Sequence, residues 1–307
     1  KHVDEKTNAM KITIGSRGSD LALWQANFVK DALEKLGHAV SLKIIVTKGD
    51  KIQDLSFDKI EGKGFFTKEI EDALLNKEID LAVHSHKDLE TSQPDGLRIG
   101  AVSYRENPTD QLLVLKSSVN PEALLELKEN PIVGTSSARR KSQMMRIRPD
   151  AQLKDLRGNV PTRINKLRSG DYDAIILATA GIKRLELDLS DLHCVELDPH
   201  EFVPAPAQGV LGLQIRSNDT ELNAVITKLN HKDVAAAIGV ERKVLQLLAG
   251  GCQLPLGVYA EENQKNWNIH VSYAPDQSSS ANITKYDTYE LEGMAEKIVE
   301  DLKHVND

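Results

Sequence analysis

A cysteine in a glycine-rich turn is the residue whose surroundings best suit covalent chemistry. Cys252 follows Gly250 and Gly251, which let the backbone bend freely and leave the sulfur unscreened. A thiolate in such a turn can attack and hold a bulky group. Taken alone, the same pattern is also typical of a small buried thiol in a tight turn. Cys252 is therefore a candidate attachment point, to be weighed against the charged residues elsewhere in the chain.

Arginines and hydroxyl residues recur where predicted strands give way to helices. They are Arg17, Ser19, Thr135, Ser137, Arg139, Arg140, Arg157, Gly158 (in the same turn as Arg157), Arg163 and Arg184. Serine and threonine are ordinary helix caps and single arginines are often solvated, but a cap needs no guanidinium, whereas bidentate recognition of carboxylates does. Because ligands of open α/β sheets bind beyond the carboxyl ends of the strands, the set together predicts a polyanionic ligand.

Asp88 is the candidate catalytic acid. It follows a near-continuous apolar strand over 79–83 and is surrounded by basic residues, so it can donate a proton or stabilise a cation. A surface turn aspartate beside Lys87 is the alternative. His84 and His86 lie two apart and share a strand face, but no third ligand is evident, so no metal site is expected there.

The apolar periodicity predicts two α/β series and a C-terminal unit. The first series has strands at 11–15, 40–46 and 79–83, with helices at 21–36 and 68–76. The second has strands at 111–115, 132–134, 152–156 and 174–178, with helices begun by Asn120-Pro121, from Ser137 and over 160–168. The C-terminal unit has a helix at 235–248, a strand at 267–273 and a helix at 290–305. Such alternation is typical of parallel sheets.

Charge and cysteine content exclude several classes of function. The chain has 307 residues and a formal net charge of -7, so neither nucleic acid nor an anionic membrane surface is an expected partner. Two distant cysteines indicate neither a disulfide framework nor a zinc site. No secretory signal is evident in residues 1–10, and no bilayer-spanning run is evident. These features predict a cytoplasmic protein, and the lack of a spare apolar stripe favours a monomer.

Six blocks of sequence resemble the porphobilinogen deaminase family, also called hydroxymethylbilane synthase, in order along nearly the whole chain. They are Ile14-Gly15-Ser16-Arg17 with the following Leu21-Ala22-Leu23-Trp24-Gln25, Gly62-Lys63-Gly64-Phe65-Phe66-Thr67-Lys68-Glu69, Val83-His84-Ser85-His86-Lys87-Asp88, Gly134-Thr135-Ser136-Ser137-Ala138-Arg139-Arg140, Leu156-Arg157-Gly158-Asn159-Val160 and Gly250-Gly251-Cys252-Gln253. The resemblance implies a deaminating transferase that joins four porphobilinogen molecules head to tail into hydroxymethylbilane, releasing ammonia. It also implies a dipyrromethane primer, bonded through a thioether to Cys252.

The matching positions imply roles for individual residues. Asp88 would assist the loss of ammonia and stabilise the resulting cation, and Phe66 would cover the site from a lid loop. The residues implied to hold the cofactor are Lys63, Ser85, Lys87, Asp88, Thr135, Ser137, Arg139, Arg140, Arg157 and Gly158. Those implied to contact the substrate or growing chain are Arg17, Ser19, Phe66, Arg157, Arg163, Arg184 and Gln208. Each pyrrole of the implied cofactor and substrate carries two carboxylates, and arginines that bind these carboxylates would account for the many basic residues.

The resemblance also implies the fold: two type II periplasmic-binding-protein-like α/β domains around a cleft, plus a small C-terminal α+β domain. Domain 1 would span 1–105 and 205–228, domain 2 would span 106–204, and domain 3 would span 229–307 and carry Cys252. The chain departs from the family pattern at three positions. Ala207 stands where glycine is usual, which would stiffen an interdomain hinge. Gln214 stands where an acidic residue is common, and His86 stands where an apolar residue is usual.

Two other classes of function remain open from the residues. A solute-binding protein for a di- or polycarboxylate would use the same arginine-lined layout without a covalent adduct. A cysteine-dependent hydrolase or transferase would pair Cys252 with His84 as base. The second gives no reason for so many basic residues.

Overall fold

Three β-sheets organise the chain in the computed structural model, which describes residues 9–51, 64–249 and 253–304. The strands are β1 (Lys11–Ser16), β2 (Ala39–Ile44), β3 (Leu81–Ser85), β4 (Leu97–Val102), β5 (Asp110–Leu115), β6 (Ile132–Gly134), β7 (Gln152–Lys154), β8 (Ala174–Ala178), β9 (Leu192–Glu196), β10 (Leu211–Arg216), β11 (Leu256–Asn263), β12 (Asn266–Tyr273) and β13 (Asn282–Thr288). The helices are α1 (Asp20–Lys35), α2 (Lys48–Lys51), α3 (Lys68–Leu75), α4 (Ala138–Ile147), α5 (Val160–Arg168), α6 (Thr179–Leu185), α7 (Thr220–Ile226), α8 (Lys232–Leu247) and α9 (Met294–His304).

The chain divides into two compact units. The first comprises Lys1–Tyr104 and Leu211–His231, and the second comprises Arg105–Val210 and Lys232–Asp307. The first unit contains one five-stranded sheet, and the second contains a five-stranded and a three-stranded sheet. Each sheet packs its apolar residues against its own helices.

The first sheet has the order β2-β1-β3-β10-β4. Strands β1, β2 and β3 are parallel, whereas β10 runs antiparallel to both β3 and β4. The parallel arrangement predicted for the three strands of the first series is therefore confirmed. Strand β10, which that series did not include, adds an antiparallel strand to the sheet. The carboxyl ends of β1 and β3 lie side by side, at the edge where ligands of such sheets bind.

The second sheet repeats this arrangement in the order β7-β6-β8-β5-β9. Strand β6 is parallel to β7 and β8, and β5 is antiparallel to β8 and β9. In both sheets the antiparallel strand is fourth in the order. The predicted fold class, with its further small sheet, is confirmed.

The third sheet is antiparallel, with the order β11-β12-β13, and packs one face against α8 and α9. Val258, Ala260, Ile269 and Val271 alternate along β11 and β12 and are buried in that core. The residues between them face the other side of the sheet, where α4 and the segment after β9 lie.

Helix boundaries follow the capping signals in most places. Helix α5 begins after the N-cap Asn159, whose side chain accepts from the N–H of Thr162 at 3.0 Å, and it ends at Arg168 as predicted. The helix predicted from Asn120 is wrong. Leu125 and Glu126 adopt φ values of 61° and 53°, which limit this segment to short turns.

Glu241 on α8 is a fully buried carboxylate that joins several segments of the second unit. It accepts hydrogen bonds from Arg105 at 2.7 and 3.2 Å, from the N–H of Ala207 at 2.7 Å and from the N–H of Ala260 at 2.9 Å. Ala207 has a φ of 63°, in the left-handed region that glycine adopts without strain. The departure from glycine at this position therefore costs about 1 kcal/mol in backbone strain.

We expect Glu241→Gln to lower the free energy of unfolding by about 3 kcal/mol, because it leaves the largely buried guanidinium of Arg105 without its counter-ion. Urea denaturation measures the change. Glu262→Gln, at an exposed position on β11, is the matched control and should change stability by less than about 0.5 kcal/mol. Equal effects of the two substitutions would contradict the expectation.

Candidate active site

The neighbouring ends of β1 and β3 bring a set of predicted site residues to one edge of the first sheet. Arg17 and Ser19 follow β1, and Ser85, Lys87 and Asp88 lie at or just beyond the end of β3. Ser19 caps α1 by accepting from the N–H of Ala22 at 3.3 Å. The first unit therefore presents a carboxylate, an ammonium and a guanidinium group at the edge that the sequence predicted.

Asp88 ends a short 3-10 turn, His86–Asp88, and its side chain is exposed. Among the residues that the structure describes, its carboxylate makes no hydrogen bond or ion pair. Ser85, at the start of this turn, exchanges hydrogen bonds with the side chain of Gln25 at 2.9 and 3.4 Å. Gln25 therefore anchors the start of the turn through Ser85, while the carboxylate of Asp88 faces solvent.

Arg17 is fixed by a residue that sequence reasoning missed. Its Nε and Nη2 donate to Asp50 Oδ1 at 3.0 and 2.5 Å, and its guanidinium lies 4.8 Å from the ring centroid of Phe66. Asp50 also accepts from the N–H and hydroxyl of Thr47. Burial raises the pKa of Asp50, but the hydrogen bonds from Arg17 and Thr47 outweigh it and hold the pKa below its usual value. These contacts thus hold the Arg17 guanidinium in one orientation.

A buried polar network lies beneath the turn that carries Asp88. His84 Nε2 is 2.8 Å from Gln214 Oε1, and Gln214 Nε2 donates to Gln93 Oε1 at 2.8 Å and Glu71 Oε1 at 3.1 Å. Burial lowers the pKa of His84 to about 4, although Gln214 and the charge of Asp88 favour its protonation. His84 is therefore neutral near pH 7, and the neutral amide of Gln214 suits this state better than a carboxylate would.

We expect His84 to make the fold sensitive to acid. Its pKa is 6.5 when unfolded and about 4 when folded, so as pH falls from 6.5 to 4 the unfolded chain binds a proton that the folded chain does not. This difference removes about 3 kcal/mol of stability across that range. Urea denaturation of the unaltered chain and of His84→Gln, at pH 7.5 and 4.5, isolates the contribution. Parallel losses in the two proteins would contradict it.

The end of β6 and the start of α4 form a second set, in the second unit. Ser137 caps α4 by accepting from the N–H of Arg140 at 3.3 Å, and Thr135 Oγ1 accepts from the N–H of Ser137 at 3.2 Å. The hydroxyl hydrogens of both side chains remain donors at a helix N-terminus, where the helix dipole favours anions.

Arg139 and Arg140 are both buried around Asp110, the first residue of β5. Arg139 Nη1 donates to Asp110 Oδ2 at 2.6 Å, and Arg140 Nη2 donates to Asp110 Oδ1 at 2.8 Å. Burial lowers the pKa of Arg139, but a guanidinium stays charged. Gln208 donates to the same carboxylate at 3.2 Å and to the carbonyl of Pro108 at 2.8 Å. The two guanidinium groups and the single carboxylate of Asp110 together carry a net charge of +1.

The remaining basic residues lie beyond β7 and β8. Arg163 Nε donates to the carbonyl of Gly158 at 2.7 Å, which ties α5 to the turn containing Arg157. Gly158 has a φ of 109°, a conformation that favours glycine. Arg184, on α6, is 6% exposed and donates to the carbonyl of Gly209 at 2.8 Å. Because β7 and β8 flank β6 in parallel, these residues share an edge with the start of α4.

Two predicted residues, Lys63 and Cys252, lie outside the described residues. So does 61–63 of the predicted lid loop, whereas Phe66 is described. Sequence reasoning missed Asp50 and Asp110, the acidic partners that fix the arginines. The sequence signal for these two residues is weak, because each is a single carboxylate beside a strand or turn. The arginine partners of Asp110 lie 29 and 30 residues away from it in the sequence.

The strand order and the polar sheet ends define the class of protein: a type II periplasmic-binding-protein-like α/β protein with a further small sheet domain. The family model described as "Porphobilinogen deaminase, dipyromethane cofactor binding domain" matches residues 12–224. The chain belongs to the porphobilinogen deaminase family. This finding confirms the predicted family, the enzyme class hydroxymethylbilane synthase and the dipyrromethane cofactor.

Curated relatives agree over most of their length. The porphobilinogen deaminase of a Nitratiruptor species is 49% identical over 257 residues, covering 84% of this chain and 81% of that protein. That of Maridesulfovibrio salexigens is 47% identical over 253 residues, covering 82% and 80%. The solved structure of an ancestral cationic amino acid solute binding protein (AncCDT-1) is 15% identical, with a TM-score of 0.43, covering 71% of this chain and 87% of that one.

Among the described residues, no helix has the length and apolar content needed to cross a bilayer.

The residues present fit a dipyrromethane carrying acetate and propionate groups. Arg139 and Arg140 exceed the charge of Asp110 by one, and the hydroxyls of Thr135 and Ser137 stand at the N-terminus of a ten-residue helix. Guanidinium, hydroxyl and helix N–H groups are the donors that carboxylates require. The chemistry of this donor set therefore suits the cofactor that the family model names.

Proposed function

We propose that this chain joins four porphobilinogen molecules head to tail into hydroxymethylbilane, releasing ammonia at each step, on a dipyrromethane primer held by Cys252. The observation that carries the proposal is the exposed carboxylate of Asp88 at the same sheet edge as Lys87 and Arg17. The family assignment supports the reaction, and the sheet edge supports the choice of residues.

Asp88 is the proposed catalytic residue. Its exposed carboxyl group can pass a proton to the departing amine of the substrate, and the carboxylate that remains can stabilise the cation left behind. His84 is buried and neutral, so it does not compete as a cation beside Asp88. Arg17 and Lys87 supply positive charge for substrate carboxylates at the same edge.

The basic residues of the second unit are proposed to hold carboxylates of the cofactor and of the growing chain. When bound, the dipyrromethane supplies the pyrrole end to which the first substrate is joined. Arg139, Arg140 and the α4 N-terminus bind and orient, since buried guanidinium groups lose little further freedom on binding. Arg157, Arg163 and Arg184 extend this basic edge along β7 and β8.

The finer organisation of the protein belongs to the same proposal. Domains at 1–105 with 205–228, at 106–204 and at 229–307 are supported by the presence of three separate sheets. A cytoplasmic location is supported by the low cysteine content, and the absence of nucleic-acid partners by the net charge of -7. We further propose a monomer.

The intact mass of the purified chain, followed by mapping of the peptide around Cys252, tests the proposal. We expect added mass equal to two linked pyrroles on that peptide, and none on the peptide containing Cys194. If the thiol stays bare after incubation with porphobilinogen, the proposal fails. A solute-binding protein would then be the outcome if the chain retained a polycarboxylate reversibly.

A further inference from the structure

A cluster of two histidines and a glutamate lies on the face of the third sheet that turns away from α8 and α9. His270 on β12 stands opposite Tyr259 of β11, and Glu261 is two residues further along on the same face. His200 reaches this face from the segment after β9. All of these residues belong to the second unit, and none has a place in the proposed reaction.

The three side chains converge on a small volume. One ring nitrogen of each histidine and one carboxylate oxygen of Glu261 lie within 4.8 Å of one another. His200 Nε2 is 2.6 Å from Glu261 Oε1, and the two imidazole rings have centroids 4.4 Å apart with an angle of 32° between their planes. Two imidazoles and a carboxylate form a donor set typical of zinc-class divalent ions.

Neighbouring groups orient these donors as they do around bound metals. Asp198 Oδ1 lies 3.2 Å from His200 Nδ1, so a second carboxylate stands beside the ring nitrogen that does not face Glu261. The hydroxyl of Tyr259 donates to Glu261 Oε2 at 3.1 Å, leaving Oε1 for the cluster. A carboxylate behind a ligating histidine is a recurring feature of zinc sites.

His270 gives an independent indication that a ligand belongs here. It is 7% exposed, and its Nδ1 is buried without a hydrogen-bond partner among the described residues. A buried polar nitrogen left without a partner costs free energy, so such a group in a native fold calls for an explanation. Lys285, opposite His270 on β13, is exposed and its ammonium lies 3.5 Å from Asp287.

We propose that His200, Glu261 and His270 bind one zinc-class divalent ion. The ion replaces the proton shared between His200 Nε2 and Glu261 Oε1, and modest rotation of the side chains brings the third donor to bonding distance. The side chains of His200 and Glu261 are 43% and 30% exposed, which gives the ion a path from solvent. Binding ties the segment after β9 to the third sheet.

Equilibrium dialysis of the full-length holoenzyme against ZnCl2, with metal counted by mass spectrometry, tests this site. In the holoenzyme Cys252 is proposed to be a thioether and therefore does not compete as a thiolate. We expect one zinc ion per chain, and an affinity lowered at least roughly tenfold in His270→Gln and in Glu261→Gln. Mg²⁺, which prefers oxygen ligands, should not be retained.

His193→Gln is the matched control, because His193 Nε2 lies 2.6 Å from Glu126 Oε2 without a second imidazole in the pair. It should leave zinc binding unchanged. Visible absorption of the Co²⁺-loaded protein gives a second readout, since nitrogen ligation by His270 changes the band. Circular dichroism confirms that each variant is folded. No retained zinc, unchanged affinity in the His270 and Glu261 variants, or loss of zinc only in His193→Gln would overturn the proposal.

Discussion

Cys252→Ser is expected to abolish synthesis of the tetrapyrrole, lowering the rate by at least about three orders of magnitude. A serine hydroxyl is far less nucleophilic at neutral pH than a thiolate, so the variant should not acquire the primer. The intact mass of the variant should then equal that of the unmodified chain, before and after incubation with porphobilinogen. The rate of product formation and the mass are measured on the same preparation.

Cys194→Ser is the control for this result. Cys194 lies on β9, partly buried against the core of the second sheet, and burial raises the pKa of its thiol. A thiol with a raised pKa is a poor nucleophile near pH 7. The control variant should carry the primer and retain its rate. If Cys252→Ser carried an adduct of two pyrroles, the attachment point would lie elsewhere.

Sequence patterns predicted the sheet ends because capping and strand signals are local. Asn159 and Pro161 marked the start of α5, and Ser137 marked the start of α4, so the residues beside these caps were placed correctly on their elements. The predicted positions of Arg17 and Asp88 followed from the apolar strands that precede them. What these signals could not supply was the partner of each charged side chain.

The contacts of the arginines depend on residues far away in the sequence. Asp110 receives Arg139 and Arg140 because β5 lies beside β8 in the second sheet, and no spacing rule predicts that neighbour. The direction of β10 is likewise a property of the whole sheet. Leu125 and Glu126 adopt left-handed backbone conformations although neither is a glycine. The sequence therefore gave no reason to exclude the helix predicted there.

Asp88→Asn is the second large effect that we expect. The amide has neither a transferable acidic proton nor a negative charge, so both proposed contributions of the carboxylate disappear. General acid catalysis alone contributes about 10² to 10⁴ in rate, and we expect kcat to fall within or beyond this range. The value of KM should change little, because Arg17 and the other basic side chains proposed to contact substrate carboxylates are unchanged.

The measurement is a steady-state rate expressed per chain that carries the primer, so that a defect in priming is not counted as a defect in proton transfer. Asp95→Asn, an exposed carboxylate in the same unit, is the matched control and should keep the full rate. Asp88→Glu retains the charge but displaces it by one methylene, so it should recover part of the rate. A kcat for Asp88→Asn within about threefold of the unaltered value would show that the carboxylate does not take part in the chemical step, since a true general acid contributes far more.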